Sequence, residues 1–117
     1  MAALFTPAEL PAGFVYPQGL IDLAQSDQGL SGSWWLIGQN PAYARLCLAQ
    51  LQQRSPHKPL VPFAKNDDEE VLACFDGEDR SDNPRVYFDT FSNLSTVNWA
   101  QRYSLSFSEW LALALSD

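Results

Sequence analysis

The chain has 117 residues, about one ordinary domain, and its 46% hydrophobic content implies one packed core that needs neither staples nor metals. Seven basic against fourteen acidic residues leave a formal charge of −7, which works against phosphate backbones and anionic membrane surfaces; nucleic acid and membranes are not expected partners. Cys47 and Cys74 are too few and too isolated for a disulfide framework or a metal cluster and read as reduced, packed thiols.

In chain order, Pro7, Pro11 and Pro17 mark residues 1–16 as an irregular arm lying over a single domain that spans 1–117. The start, MAALFTPAEL, lacks the basic lead and continuous apolar run of a secretory signal, and WLALAL near the end is far too short to cross a bilayer, so a soluble cytoplasmic protein is expected. PQGLIDLAQS places Leu20, Leu23 and Ala24 on one side of a short helix, followed by a loop over residues 26–33 with Gly29 and Gly32. SWWLIG reads as a short strand that points Trp34 and Leu36 one way and Trp35 and Ile37 the other, with both indoles expected to pack inside.

Asn40 offers an N-cap oxygen and Pro41 suits the first helical position, so PAYARLCLAQLQQR is expected to be a helix. Its core stripe is Tyr43, Ala44, Cys47, Leu48 and Leu51. SPHKP ends it and carries the only histidine, His57, on an exposed connection. Three strands follow, 60–64, 71–76 and 85–89, joined closely enough for an antiparallel meander. In the middle one Val71, Ala73 and Phe75 oppose Leu72 and Cys74, so both faces are covered and the strand is central. Val86 and Phe88 join the core and leave Tyr87 and Asp89 opposite, where Tyr87 either meets a partner or packs under a helix. Pro62 cannot donate to a ladder, which puts the first of these strands at an edge or delays its pairing. TVNW is read as a further strand. Finally, Ser106 and Glu109 have capping-box spacing, Leu105 and Trp110 are placed for a hydrophobic staple, and Phe107, Trp110, Leu111 and Ala114 recur at helical intervals. A closing helix docked on the sheet is expected.

The charge is concentrated. Residues 65–82 hold Asp67, Asp68, Glu69, Glu70, Asp76, Glu78, Asp79 and Asp82 against Lys65 and Arg80, a net −6, and the rest of the chain contributes only −1. In a meander these acids fall in two loops at opposite ends of one strand, about 17–20 Å apart. A partner burying about 800 Å² per side spans both. The expected partner-binding set is those eight acids and Tyr87, facing a cationic protein surface, with Trp34, Trp35 and Phe91 as further candidate anchors. The competing readings are solvated turns that discourage edge pairing, a calcium loop at DGEDRSD, which lacks the EF-hand spacing and its final glutamate, and a glycosidase acid pair, which loops at opposite strand ends do not make. No Ser/His/Asp set, Cys/His pair, phosphate loop or zinc spacing is present, so no catalytic residue, metal or cofactor is assigned.

LVPFAKNDDEEVLACFD, then PRVYFD, then SLSFSEWLALAL resemble, in that order, the second half of the SUKH superfamily of yeast cell-wall-assembly regulators and bacterial immunity proteins. Members of that family carry a "PFA" strand, an acidic or glycine-rich turn, a strand ending near a phenylalanine and aspartate, a V-Y strand and a closing "SF-x-x-W/F-L" helix. The resemblance covers residues 58–115; the family's glycine-rich N-terminal signature has no clear counterpart, so it fixes neither subfamily nor partner. It implies an α+β domain, an antiparallel or mixed sheet of four to six strands wrapped by helices, that binds rather than catalyses. In bacteria such proteins mostly neutralise polymorphic toxins, frequently nucleases; a housekeeping scaffold of the same fold with no toxin partner is the alternative the resemblance implies.

Overall fold

Asn40 and Pro41 start the longest of three helices in the computed structural model, which describes residues 2–26, 30, 32–91, 94 and 96–116. That helix, α2, runs Pro41–Arg54; the Asn40 side chain accepts the Tyr43 amide at 3.2 Å, and Ala44, Cys47, Leu48 and Leu51 are buried along its stripe. It is preceded by α1 (Gln18–Gln25), which buries Leu20, Leu23 and Ala24, and by strand β1 (Trp34–Leu36), which tightens into a single 3₁₀ turn at Ile37–Gln39. The loop expected over residues 26–33 lies partly outside the described residues.

Strands β2 (Leu60–Asn66), β3 (Val71–Asp76), β4 (Arg85–Asp89) and β5 (Leu105–Ser106) complete an antiparallel five-stranded sheet in the order β1-β2-β3-β4-β5, and α3 (Phe107–Leu115) follows directly. The protein is therefore an α+β fold with an open antiparallel sheet and a closing C-terminal helix. Both cysteines are free and buried, and His57 is exposed. No helix among the described residues is long and apolar enough to cross a membrane.

The sheet carries a core on each face, and the alternation of β3 divides them. Val71, Ala73 and Phe75 join Phe63, Phe107 and Trp110 under α1, α3 and the N-terminal arm; Leu72 and Cys74 join Cys47, Leu51 and Tyr87 under α2. Every residue of β3 is buried, as expected of a central strand. The capping box of α3 is formed, with the Ser106 amide donating to Glu109 Oε1 at 2.9 Å and the Glu109 amide to Ser106 Oγ at 3.3 Å. Such an N-cap contributes about 1 kcal/mol.

Of the two placements that Pro62 left open for β2, the structure takes the delayed pairing and not the edge: β2 is an interior strand, and β1 pairs with it only at residues 64–66, beyond Pro62, which needs no donor there. Opposite β3 the register shifts between Pro62 and Ala64, a bulge that turns Phe63 and Ala64 to the same core and leaves the Lys65 ammonium free to reach the next turn. TVNW is not a strand: residues 96–99 cross the face of the sheet, Trp99 meeting Tyr87 edge-on at 4.9 Å, because the place beside β4 is taken by β5. Of the two indoles, Trp34 is buried and Trp35 is half-buried against Tyr43, ring centres 5.6 Å apart.

The arm is tied down by backbone contacts. Ala2 donates to the Ala24 carbonyl at 2.7 Å and Ala3 to that of Gly38 at 3.0 Å. A methyl group added at Gly38 would sit 1.9 Å from the Ala3 carbonyl oxygen, so only glycine permits this approach. Gly38→Ala is expected to lift the start of the arm, at a cost of about 1–3 kcal/mol in urea unfolding and with faster protease cleavage within residues 2–16. An unchanged digestion pattern would show that the arm is not held here.

Candidate functional site

The two acidic loops are built differently. At the turn between β2 and β3, Asn66 Oδ1 accepts the amides of Asp68 (3.0 Å) and Glu69 (3.1 Å), and Glu70 closes the turn at φ 52°. The amide that shapes the turn is thus neutral, and the four acids after it are left to point outward; all four are exposed. Lys65 Nζ reaches Asp67 at 2.7 Å and Glu70 at 3.6 Å. The Lys65 hydrogen bond holds the Asp67 carboxyl below the usual carboxylate range, and Asp67 in turn raises Lys65. Asp68 and Glu69 have no ion-pair partner among the described residues, so one lysine stands among four carboxylates.

At the other end of β3 the acids are put to internal use. Asp76 is 7% exposed; its Oδ1 accepts the Glu78 amide at 2.9 Å and its Oδ2 meets Lys58 Nζ at 3.0 Å. Lys58 also meets Glu78 at 3.1 Å; burial pulls its pKa down, but the two carboxylates outweigh burial and leave it raised. Asp79 accepts the amides of Ser81 (2.9 Å) and Arg85 (3.0 Å); burial raises its pKa, and these bonds more than offset that and hold it low. Arg80 donates to the carbonyls of Gly77 and Ala12, pinning the loop to the N-terminal arm. Gly77 is enclosed: an added methyl would meet Pro11 Cγ at 2.7 Å and the Pro59 carbonyl at 2.8 Å. Asp82 is exposed, and the Glu78 side chain is 58% exposed.

Six of the nine expected binding residues, Asp67, Asp68, Glu69, Glu70, Glu78 and Asp82, therefore present exposed carboxylates. Two are corrected. Tyr87 is 2% exposed, beneath Lys58 and Trp99, and cannot touch a partner; Asp76 is buried as the counter-ion of Lys58. Asp79 is spent on turn amides. The two loops are separated by the six residues of β3, about 20 Å at 3.4 Å per residue. Of the other candidate anchors, Trp34 is buried, while Phe91 is 39% exposed and held at φ 65° beneath the Arg54 guanidinium.

Sequence reasoning missed Lys58, the cation that organises the second loop, and Glu9, which pairs with Arg45 at 3.2 Å. Among the described residues no three His, Cys, Asp or Glu side chains converge to hold a metal ion. What the arrangement offers is negative potential and hydrogen-bond acceptors, grouped at two ends of a rigid central strand. Compared with protein-family models, curated proteins and solved structures, the chain matches none of them.

Proposed function

We propose that this chain is a non-catalytic protein-binding domain of the SUKH type, a cytoplasmic bacterial immunity protein that neutralises a basic toxin domain by covering it through its acidic side. The observation that carries the reading is the 67–70 turn, where four successive exposed carboxylates answer to a single lysine. It is supported by the ordered resemblance over residues 58–115, which implies binding without chemistry. Carboxylates held on a hairpin attract a cationic surface over distances near the Debye length and raise the rate of encounter, with strong dependence on salt.

Co-expression with the toxin encoded beside its gene tests the proposal directly. Cells carrying both are expected to grow, and the purified pair to form a complex. No rescue and no complex would remove the immunity reading and leave a scaffold module of the same fold, recoverable with a native cellular partner. The combined variant Asp67→Lys, Asp68→Lys, Glu69→Lys, Glu70→Lys is expected to slow association at low salt about tenfold or more, and to flatten its salt dependence. Unchanged kinetics at low salt would exclude the turn from the interface.

A further inference from the structure

Beside the 67–70 turn lies an aromatic and aliphatic face that is open to solvent. Trp35 of β1 stands opposite Lys65 of β2, so the two side chains share the α2 side of the sheet, with Cβ atoms about 5 Å apart. Tyr43, in the first turn of α2, tilts against the Trp35 ring at 32° with centres 5.6 Å apart, and both residues are half-buried. Leu46, three residues further along α2 and so about 5–6 Å from Tyr43, is 53% exposed.

The face and the turn are joined through Lys65, whose ammonium goes to Asp67 and Glu70. The lysine side chain is only 14% exposed, whereas those of Asp67 and Glu70 are 57% and 73% exposed, so the carboxylates and not the cation make the surface. Residues 65–70 hold one cation against four acids, a net −3, and Asp68 and Glu69 have no ion-pair partner among the described residues. Arg45, the basic residue in the first half of α2, is committed to Glu9 on the arm at 3.2 Å. An unbalanced negative charge therefore adjoins two partly open rings and an exposed leucine. A flat cation on an apolar stem answers all three.

We propose that this face is an arginine subsite: one arginine of a protein partner lays its guanidinium over the Trp35 and Tyr43 rings, its methylenes against Leu46, and its N–H groups on the carboxylates of the turn. That a cationic partner meets the turn rests on the function proposed above; the choice of arginine rests on the rings. A π face attracts a cation, most strongly on tryptophan, and a guanidinium stacks flat on it while its in-plane N–H groups stay free for carboxylates. A lysine ammonium meets the same charge but cannot stack, and a neutral side chain leaves the acids unanswered. The acids thus draw the partner in, and Trp35 sets which cation is held.

The test is a chemical-shift titration of the full chain at low salt with three capped peptides, Arg-Gly-Arg, Lys-Gly-Lys and citrulline-Gly-citrulline, the last having the shape of arginine without its charge. Arg-Gly-Arg is expected to shift the Trp35 indole N–H and the amides of Tyr43, Leu46 and Asp68 together, saturating in the millimolar range. The lysine peptide is expected to bind about two- to fivefold more weakly, and the citrulline peptide at least tenfold. Trp35→Leu is expected to bring the arginine peptide down to the affinity of the lysine one; should that variant not fold, the ratio between the two peptides in the native chain decides alone. Equal affinity for arginine and lysine, shifts confined to residues 67–70, or no shifts would overturn the proposal. A chain that prefers arginine here but fails to rescue cells from the toxin would keep this inference and lose the immunity reading, while rescue and toxin affinity unaltered by Trp35→Leu would do the reverse.

Discussion

Trp110→Ala is expected to lower the unfolding free energy by about 3–5 kcal/mol, the range found when a fully buried large side chain is truncated. Trp110 is 0% exposed and stands at the centre of an aromatic cluster. It meets Trp34 edge-on at 5.4 Å, Phe63 edge-on at 4.8 Å and Phe107 at 5.9 Å. Pairs of this geometry contribute about 0.5–1.5 kcal/mol each beyond the area they bury, and the four rings come from β1, β2 and α3, which cannot all close over the space left behind. The substitution improves helix propensity, so a loss cannot be blamed on the helix itself. Urea unfolding is the measurement, with the exposed Ala112→Ser as a control expected to change stability by less than about 0.5 kcal/mol. A loss below about 1 kcal/mol for Trp110→Ala would mean that α3 is not docked as described.

That helix was legible from its residues because every signal is local: a cap oxygen, a glutamate three residues on, and apolar side chains at helical spacing. β3 was legible for a similar reason, since a strand covered on both faces has apolar residues at both parities. β5 was not, because two residues carry no period, and its existence depends on β4 lying alongside. The misreading of residues 96–99 shows the complementary failure. Val97 and Trp99 alternate as a strand would, yet the alternation comes from packing on Tyr87 and its neighbours across the sheet rather than from a ladder.

Charge was legible as a sum but not as a distribution of work. The eight acids of residues 65–82 look alike in the sequence, and only the fold separates them. Asp76 faces Lys58, eighteen positions earlier in the chain, and Asp79 turns in to the amides of Ser81 and Arg85, whereas Asp68 and Glu69 face water because Asn66 has already supplied the acceptor that their turn requires.

Arg54→Met is expected to destabilise the protein by about 3–5 kcal/mol, on the order of 10–20 °C in Tm, through a contact that no sequence pattern announced. Arg54 ends α2 and Asp89 ends β4; Nη1 meets Oδ1 at 3.0 Å and Nη2 meets Oδ2 at 2.8 Å, a two-point pairing of groups 35 positions apart. Asp89 is 2% exposed and also accepts the Phe91 amide at 3.1 Å, so it fixes the turn in which Phe91 takes its left-handed conformation. Removing the guanidinium leaves a carboxylate where water cannot replace its partner, and that desolvated charge, rather than the lost attraction, dominates the cost. The double variant Arg54→Met, Asp89→Leu removes both charges and is expected to recover at least half of the loss, because an apolar pair of similar volume needs no compensation there. Thermal and urea unfolding of the three proteins decide the matter: a single variant losing less than about 1 kcal/mol would show that water reaches Asp89, and a double variant as unstable as the single one would show that the Phe91 turn, not the buried charge, is what Arg54 protects.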